Sequence, residues 1–195
     1  MKARLVCRTL LISQCQNQYY YHVMMEMLHE SPFYSQGLRF SCTRCSACCR
    51  YESGYVFLSM KDVSRLRVNM KMGYEEFTTA FCRWIPSVNG AEQLSLKEKP
   101  NFDCIFWVSD ESGGGTCSVY EHRPLQCRAF PFWLSILSSR KTWKMAAQDC
   151  PGIDRGELHS HDSIEKWLAQ RKKEPIIERV SKFTGKSATF GLLNI

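Results

Sequence analysis

Four cysteines within eight positions, Cys42-Thr-Arg-Cys45-Ser-Ala-Cys48-Cys49, constrain this chain more than any other segment. A Cys-x-x-Cys step lets two thiolates face one cation, which is why it recurs in zinc knuckles and in cluster-binding loops. Three cysteines at that step lean toward iron–sulfur usage, in which one loop wraps several irons and a remote cysteine closes the site. Cys48 and Cys49 are adjacent. In an extended backbone their side chains point to opposite faces, so the two thiolates are expected to serve different metals, or different irons of one cluster. The spacing of radical S-adenosylmethionine enzymes is absent: after Cys45 and Cys49, Glu52 stands where the third cysteine would fall.

The chain holds 11 cysteines in 195 residues. Either disulfides in an oxidising compartment or metal thiolates in a reducing one would account for them. A domain of this length buries about 70% of its unfolded surface, so it need not rely on staples. An odd count also fits a fully paired disulfide framework poorly. At the start of the chain, Arg8 interrupts the apolar run, and Gln14 occupies the place where a lipoprotein cleavage site takes Gly, Ala or Ser. No apolar run approaches the roughly 20 residues needed to span a bilayer. The sequence therefore predicts a reduced, cytoplasmic protein that does not enter the membrane. Its balance of 44% hydrophobic and 23% charged residues is that of an ordinary globular domain. The net charge of +7 is scattered, and its densest run, Arg171–Lys173, reads as the solvated face of a helix rather than a nucleic-acid patch.

Three segments are expected. Residues 1–30, with Cys7, Cys15 and a doublet at Met24–Met25, read as loosely ordered or as an over-extended reading frame. Residues 31–155 form the cysteine-rich domain, and residues 156–195 a C-terminal helical extension. Within the domain, Tyr55–Leu58 reads as a short β segment. Ser59 with Asp62 forms a capping box opening a helix over Met60–Met72. Gly73 ends it, and Tyr74–Trp84 repeats a helical pattern. Leu94–Glu98 and Cys104–Val108 read as a strand pair, and Gly113–Gly115 as a turn before Cys117–Tyr120. Phe130–Leu137 and Trp143–Ala147 are further short strand candidates. Ser163–Lys172 is an amphipathic helix that Pro175 ends or kinks, with Ile176–Phe183 as a continuation. The fold class is α+β: a small irregular cysteine-rich domain with short strands, two or three helices and a C-terminal helix.

A second signal lies downstream. Cys150 is followed by Pro151, as in the Cys-Pro that ends bacterial ferredoxin runs. Between the knuckle and that pair stand Gly115, Cys117, Val119, Tyr120, Arg123, Pro124, Cys127, Arg128, Phe130 and Pro131. Together with the knuckle, these positions resemble the CxxCxxCC (YkgJ-like) cysteine-cluster family, and the likeness spans Phe40 to Ile153. The resemblance implies a zinc- or iron-chelating domain with eight ligands: Cys42, Cys45, Cys48, Cys49, Cys104, Cys117, Cys127 and Cys150. Eight thiolates would supply two four-coordinate centres, or one cluster plus one zinc. The cofactor is expected to be an iron–sulfur cluster, of the 4Fe–4S type, or Zn2+.

Arg123 and Arg128 are expected beside the centre, offsetting thiolate charge and donating to sulfur. Pro124 and Pro131 would stiffen the ligand loop. Tyr120, Phe130, Phe132 and Trp133 would exclude water. Cys7, Cys15 and Cys82 read as small buried apolar residues. His122 is a spare ligand candidate, whereas His159 and His161 read as solvated histidines at a helix start. No nucleophile–base pair stands out, and Gly113–Gly115 lacks the Lys of a phosphate loop. Three functions follow. One is a metal- or cluster-binding module for electron transfer or redox sensing. Another is a redox or protein-modifying enzyme related to flagellin lysine methylases, which use a similar cluster in a longer chain. The third is a structural zinc module that binds a protein partner.

Overall fold

The computed structural model describes residues 31–50, 52–88, 90–111 and 114–180. The segment 1–30, with Cys7 and Cys15, lies outside the described residues, as does the chain after Val180. The chain divides into two compact units, Met1–Gln36 and Gly37–Ile195. In the first, Phe33 and Tyr34 meet edge to face with ring centroids 5.5 Å apart. Every helix and strand named below belongs to the second.

That unit is mixed α+β, as expected, with seven short strands in three small antiparallel sheets among the described residues. Strand β1 (Leu38–Phe40) enters the cysteine loop and pairs with β6 (Ile153–His159), which leaves the last cysteine. The two ends of the cysteine-rich stretch are therefore zipped together, and β6 runs through residue 155. Helices α1 (Met60–Asn69) and α2 (Tyr74–Phe81) follow, then the hairpin of β2 (Cys82–Pro86) and β3 (Ala91–Leu96). A second hairpin joins β4 (Trp107–Ser109) to β5 (Gly115–Cys117). Three more helices complete the set: α3 (Leu125–Ala129), α4 (Arg140–Asp149) and α5 (His161–Lys173). The last strand, β7 (Glu178–Val180), extends the first hairpin from the free side of β3. Val63 and Leu66, one turn apart on α1, are fully buried against Phe77, Leu94 and Phe106. No helix among the described residues is long and apolar enough to cross a membrane.

Several expected elements take another form, each for a tertiary reason. The helix begun at Tyr74 stops at Phe81, because Cys82 to Pro86 finds a cross-strand partner at every position, from Cys82↔Leu96 to Pro86↔Glu92. Phe130–Leu137 is not a strand: it turns and ends in a single 3-10 turn at Ile136–Ser138. Trp143–Ala147 lies within α4, which a capping box between Ser139 and Thr142 initiates. The Trp143 ring stacks on Phe132 with centroids 6.3 Å apart, and its Nε1 donates to Asp154 Oδ1 at 2.7 Å. The contact between Leu94–Glu98 and Cys104–Val108 is a single bridge, Glu98↔Cys104, since each segment has a better partner elsewhere. Between Pro175 and Val180, where the described residues end, the chain does not resume a helix but runs as β7 along β3.

The capping box at Ser59 forms as expected and does more than start a helix. Asp62 is fully buried, and its Oδ2 accepts from the Ser59 amide at 3.0 Å and the Ser59 hydroxyl at 2.8 Å. Its Oδ1 accepts at 2.7 Å from the amide of Leu125, the first residue of α3. One carboxylate thus caps two helices, the second of which carries Cys127. Replacing Asp62 by Ala would leave buried donors unpaired at both, so Asp62→Ala is expected to lose about 3 kcal/mol of stability in urea unfolding. A loss below about 1 kcal/mol would show that water or neighbouring groups satisfy those donors.

Candidate metal centre

Five separate segments bring eight cysteines to the wall of one cavity of about 420 Å3. Cys42 and Cys45 sit on the irregular loop after β1, and both are exposed. Cys48 and Cys49 lie on a single 3-10 turn, Ala47–Cys49, which the left-handed residues Arg44 and Ser46 lead into. Cys104 stands at the bridge to Glu98, and its amide donates to the carbonyl of Cys49 at 2.8 Å. Cys117 ends β5, Cys127 is in the middle of α3, and Cys150 caps the end of α4. Cys82 stands apart, buried in the apolar core by Leu94 and Phe77. Among the described residues, no three Cys, His, Asp or Glu side chains are drawn together at ligating distance. The sulfurs share the cavity without being clamped into a tetrahedron.

The local turn alters one expectation. Cys48 and Cys49 are not in extended backbone, so their side chains do not diverge, and their sulfurs lie 3.8 Å apart in hydrogen-bonding contact. With a Zn–S bond of about 2.3 Å, the edge of a tetrathiolate site is also about 3.8 Å. The pair is spaced to share a metal or to touch across two.

The thiols feel one another. The contact with Cys49 brings the Cys48 thiol down from 9.0 to about 7, with Arg123 adding its positive charge, while Cys49 is pushed up as the donor of that bond and by burial. Burial likewise raises Cys104, Cys117, Cys127 and Cys150, and nearby cysteines add to the rise in each. Burial, against the opposing charge of Lys97, takes Cys82 up to about 12. The arrangement is a concentrated set of soft donors, and burial keeps protons on Cys49, Cys104, Cys117, Cys127 and Cys150 until a cation replaces them.

Of the flanking residues, Arg123 lines the cavity, with its guanidinium 3.5 Å from the Tyr120 ring centre and its Nε donating to the Tyr120 carbonyl at 2.7 Å. Arg128 does not line it. Its Nε donates to the Arg123 carbonyl at 3.1 Å, so it bears on the loop rather than on sulfur. Tyr120, Phe130 and Trp133 line the cavity, whereas Phe132 packs behind it against Phe40 and His159. Pro124 lines the wall, and it and Pro131 are fully buried. No described histidine reaches the cavity: His159 is engaged with the Phe40 carbonyl at 3.0 Å, and His161 sits beside Asp162 at the start of α5.

Two positioning residues escaped the sequence reading. One is the second role of Asp62. The other is Gln126, whose Oε1 accepts from the Phe57 amide at 3.0 Å and whose Nε2 donates to the Tyr55 carbonyl at 2.7 Å. Gln126 lies between Pro124 and Cys127, where the pattern fixes no residue type, so only its polarity beside a buried turn could have signalled it. Gly115 has a plain reason: a Cβ there would come within 2.7 Å of the Trp107 ring across the hairpin.

Residues 41–151 match the model of a family described as "Putative zinc- or iron-chelating domain". An uncharacterised protein of Methanocaldococcus jannaschii is 25% identical over 139 residues, which covers 69% of each chain. No solved structure matches.

The order of thiol reactivity in metal-free protein checks this geometry. At neutral pH, Cys48 is exposed and about half thiolate, so iodoacetamide should modify it at least about tenfold faster than Cys82, which is buried and protonated. Equal rates, read by peptide mass spectrometry, would show that the Cys48–Cys49 contact does not form.

Proposed function

The chain belongs to the CxxCxxCC family of zinc- or iron-chelating domains, and on that premise we propose that Cys42, Cys45, Cys48, Cys49, Cys104, Cys117, Cys127 and Cys150 are the ligands of a resident thiolate metal centre. The observation that carries this reading is the sorting of the described cysteines. All eight line one cavity, and the ninth, Cys82, is a core residue. Knuckle spacing and the Cys150-Pro151 pair favour an iron–sulfur cluster of the 4Fe–4S type. The 3.8 Å spacing of Cys48 and Cys49 gives the zinc reading its support. When bound, iron would supply a redox couple, and zinc a cross-link between the five segments.

The protein's own residues do the rest. Arg123 offsets negative charge at Cys48, Cys117 and Cys127. Tyr120, Phe130 and Trp133 shield one side of the cavity from water. Three ligands, Cys42, Cys45 and Cys48, face solvent. That openness suits electron exchange or redox sensing better than a closed structural site.

Anaerobic purification with counting of iron, zinc and acid-labile sulfide tests the reading directly. Iron with matching sulfide and a broad absorbance near about 400 nm establishes a cluster, and zinc without sulfide establishes a zinc site. Finding neither iron nor zinc would overturn the proposal. Cys48→Ser and Cys127→Ser are expected to lose metal while Cys82→Ser keeps its full content, and equal content in all three would refute the ligand set.

Since ligands must shed protons held above their ordinary range by burial, apparent metal affinity should fall as pH drops. A pH-independent affinity in competition titrations would exclude the raised thiols as ligands. Complete chelation should also lower thermal stability and change the circular dichroism.

A further inference from the structure

We infer that the eight cysteines form two tiers joined through Cys48: an inner group of Cys49, Cys104, Cys117 and Cys127 that retains its metal, and an outer group of Cys42, Cys45 and Cys150 that exchanges metal with solvent. This rests on the proposed metal centre and adds which thiols act together.

The inner four are half-buried, and backbone contacts tie three of their carriers into a chain. The Cys104 amide donates to the Cys49 carbonyl at 2.8 Å, and the Cys104 carbonyl accepts from Trp107 at 2.9 Å. Trp107 in turn lies opposite Cys117 in the β4–β5 hairpin. Cys127 rides on α3, which Asp62 caps from below and Gln126 pins to residues 55–57. These sulfurs are also electrostatic neighbours: Cys127 of Cys104 and Cys117, and Cys49 of Cys104 and Cys127. Little of this wall must be ordered to receive a cation, and its partial burial strengthens every charge–charge attraction within it.

The outer group is built differently. Cys42 and Cys45 are exposed on a loop without regular structure, which one side-chain hydrogen bond, from Ser46 Oγ to the Gly115 carbonyl at 3.3 Å, fastens to β5. Cys150 ends α4 and is half-buried like the inner four, but the thiols that bear on it are Cys45 and Cys48 of the knuckle. Ligation there must order exposed side chains on a loop with few hydrogen bonds of its own, in contact with water, which costs entropy and weakens the attraction.

Cys48 belongs to both. Its sulfur is 3.8 Å from that of Cys49 and is an electrostatic neighbour of Cys104, Cys117, Cys127 and Cys150. With Cys48 the outer group reaches four thiolates, and without it the inner group already has four. That count allows two tetrathiolate centres side by side.

Zinc is the probe. The full chain is loaded anaerobically, titrated with chelators of increasing strength and labelled with N-ethylmaleimide, and each cysteine is followed by peptide mass spectrometry. The expected result is biphasic. About one zinc leaves first, exposing Cys42, Cys45 and Cys150, while the inner four stay protected at least about tenfold longer. Cys45→Ser should retain about one zinc with the inner four still protected, and Cys48→Ser should abolish the early phase and, by removing the contact with Cys49, shorten the late one without abolishing it. Loss of protection at all eight cysteines in one step, or release of all zinc by Cys45→Ser, overturns the two-tier arrangement and leaves the metal centre standing. If no zinc binds and no thiol is protected, the metal-centre reading fails, and the tiers with it.

Discussion

The carboxylate of Asp62 faces two ways inside the protein, and the position of much of the cysteine wall depends on it. One oxygen closes the cap of α1, and the other accepts the first amide of α3. An ion that deeply buried is tolerated only with partners. Arg65 supplies charge at 4.0 Å, and it reaches on to the carbonyl of Arg123 at 3.3 Å, the same oxygen that Arg128 bonds at 3.1 Å. The polar network therefore runs from the start of α1, through the Arg123–Pro124 bend, into the helix of Cys127. What looks from the sequence like a local capping signal sets the angle of a wall 60-odd residues away along the chain, as the Asp62–Leu125 bond spans 63 residues.

Eight thiols around one space pose an electrostatic problem that this network cannot solve alone. As thiolates they repel one another, and burial disfavours each charge further, so in the absence of a cation protons remain on most of them. The protein offers partial relief. Arg123 and Arg44 flank the Tyr120 ring, at 3.5 and 4.5 Å from its centre, and both line the cavity. Two arginines cannot balance eight sulfurs. Divalent cations or iron–sulfur cores can, which is why folding of the loop and loading of the centre are coupled on this reading.

The sequence carried the chemistry more legibly than the topology. Both cysteine motifs, the Ser59–Asp62 cap, the two helices beginning at Met60 and Tyr74, and the amphipathic α5 all leave local marks. What it did not carry is set by contacts distant in the chain. Cys82 to Pro86 has helical and strand character alike, and pairing with β3 decides between them. Trp143 reads as a strand aromatic until Phe132 and Asp154 receive it from one side of a helix. The divergence expected of Cys48 and Cys49 assumed extended backbone, whereas left-handed Arg44 and Ser46 coil the loop into a turn that draws the sulfurs together. Arg128 carries the sign of charge expected beside thiolates, but its side chain points along the Arg123 backbone and into the Asp62 and Glu174 neighbourhood instead.

The division between wall and loop follows from the same physics. Residues that hold a fixed place are hung on hairpins and capped helices, whose hydrogen bonds run between the protein's own groups. Cys104, Cys117 and Cys127 are of this kind. Residues on the knuckle have no such frame beyond one turn, and Cys42 and Cys45 lie in water. A site intended only to cross-link the fold would gain by burying all of its ligands, because exposure invites oxidation and exchange. On the proposed reading, leaving one face of the cavity to an open loop gives up some retention in return for access, and access is what electron exchange, sensing or transfer of a cation requires.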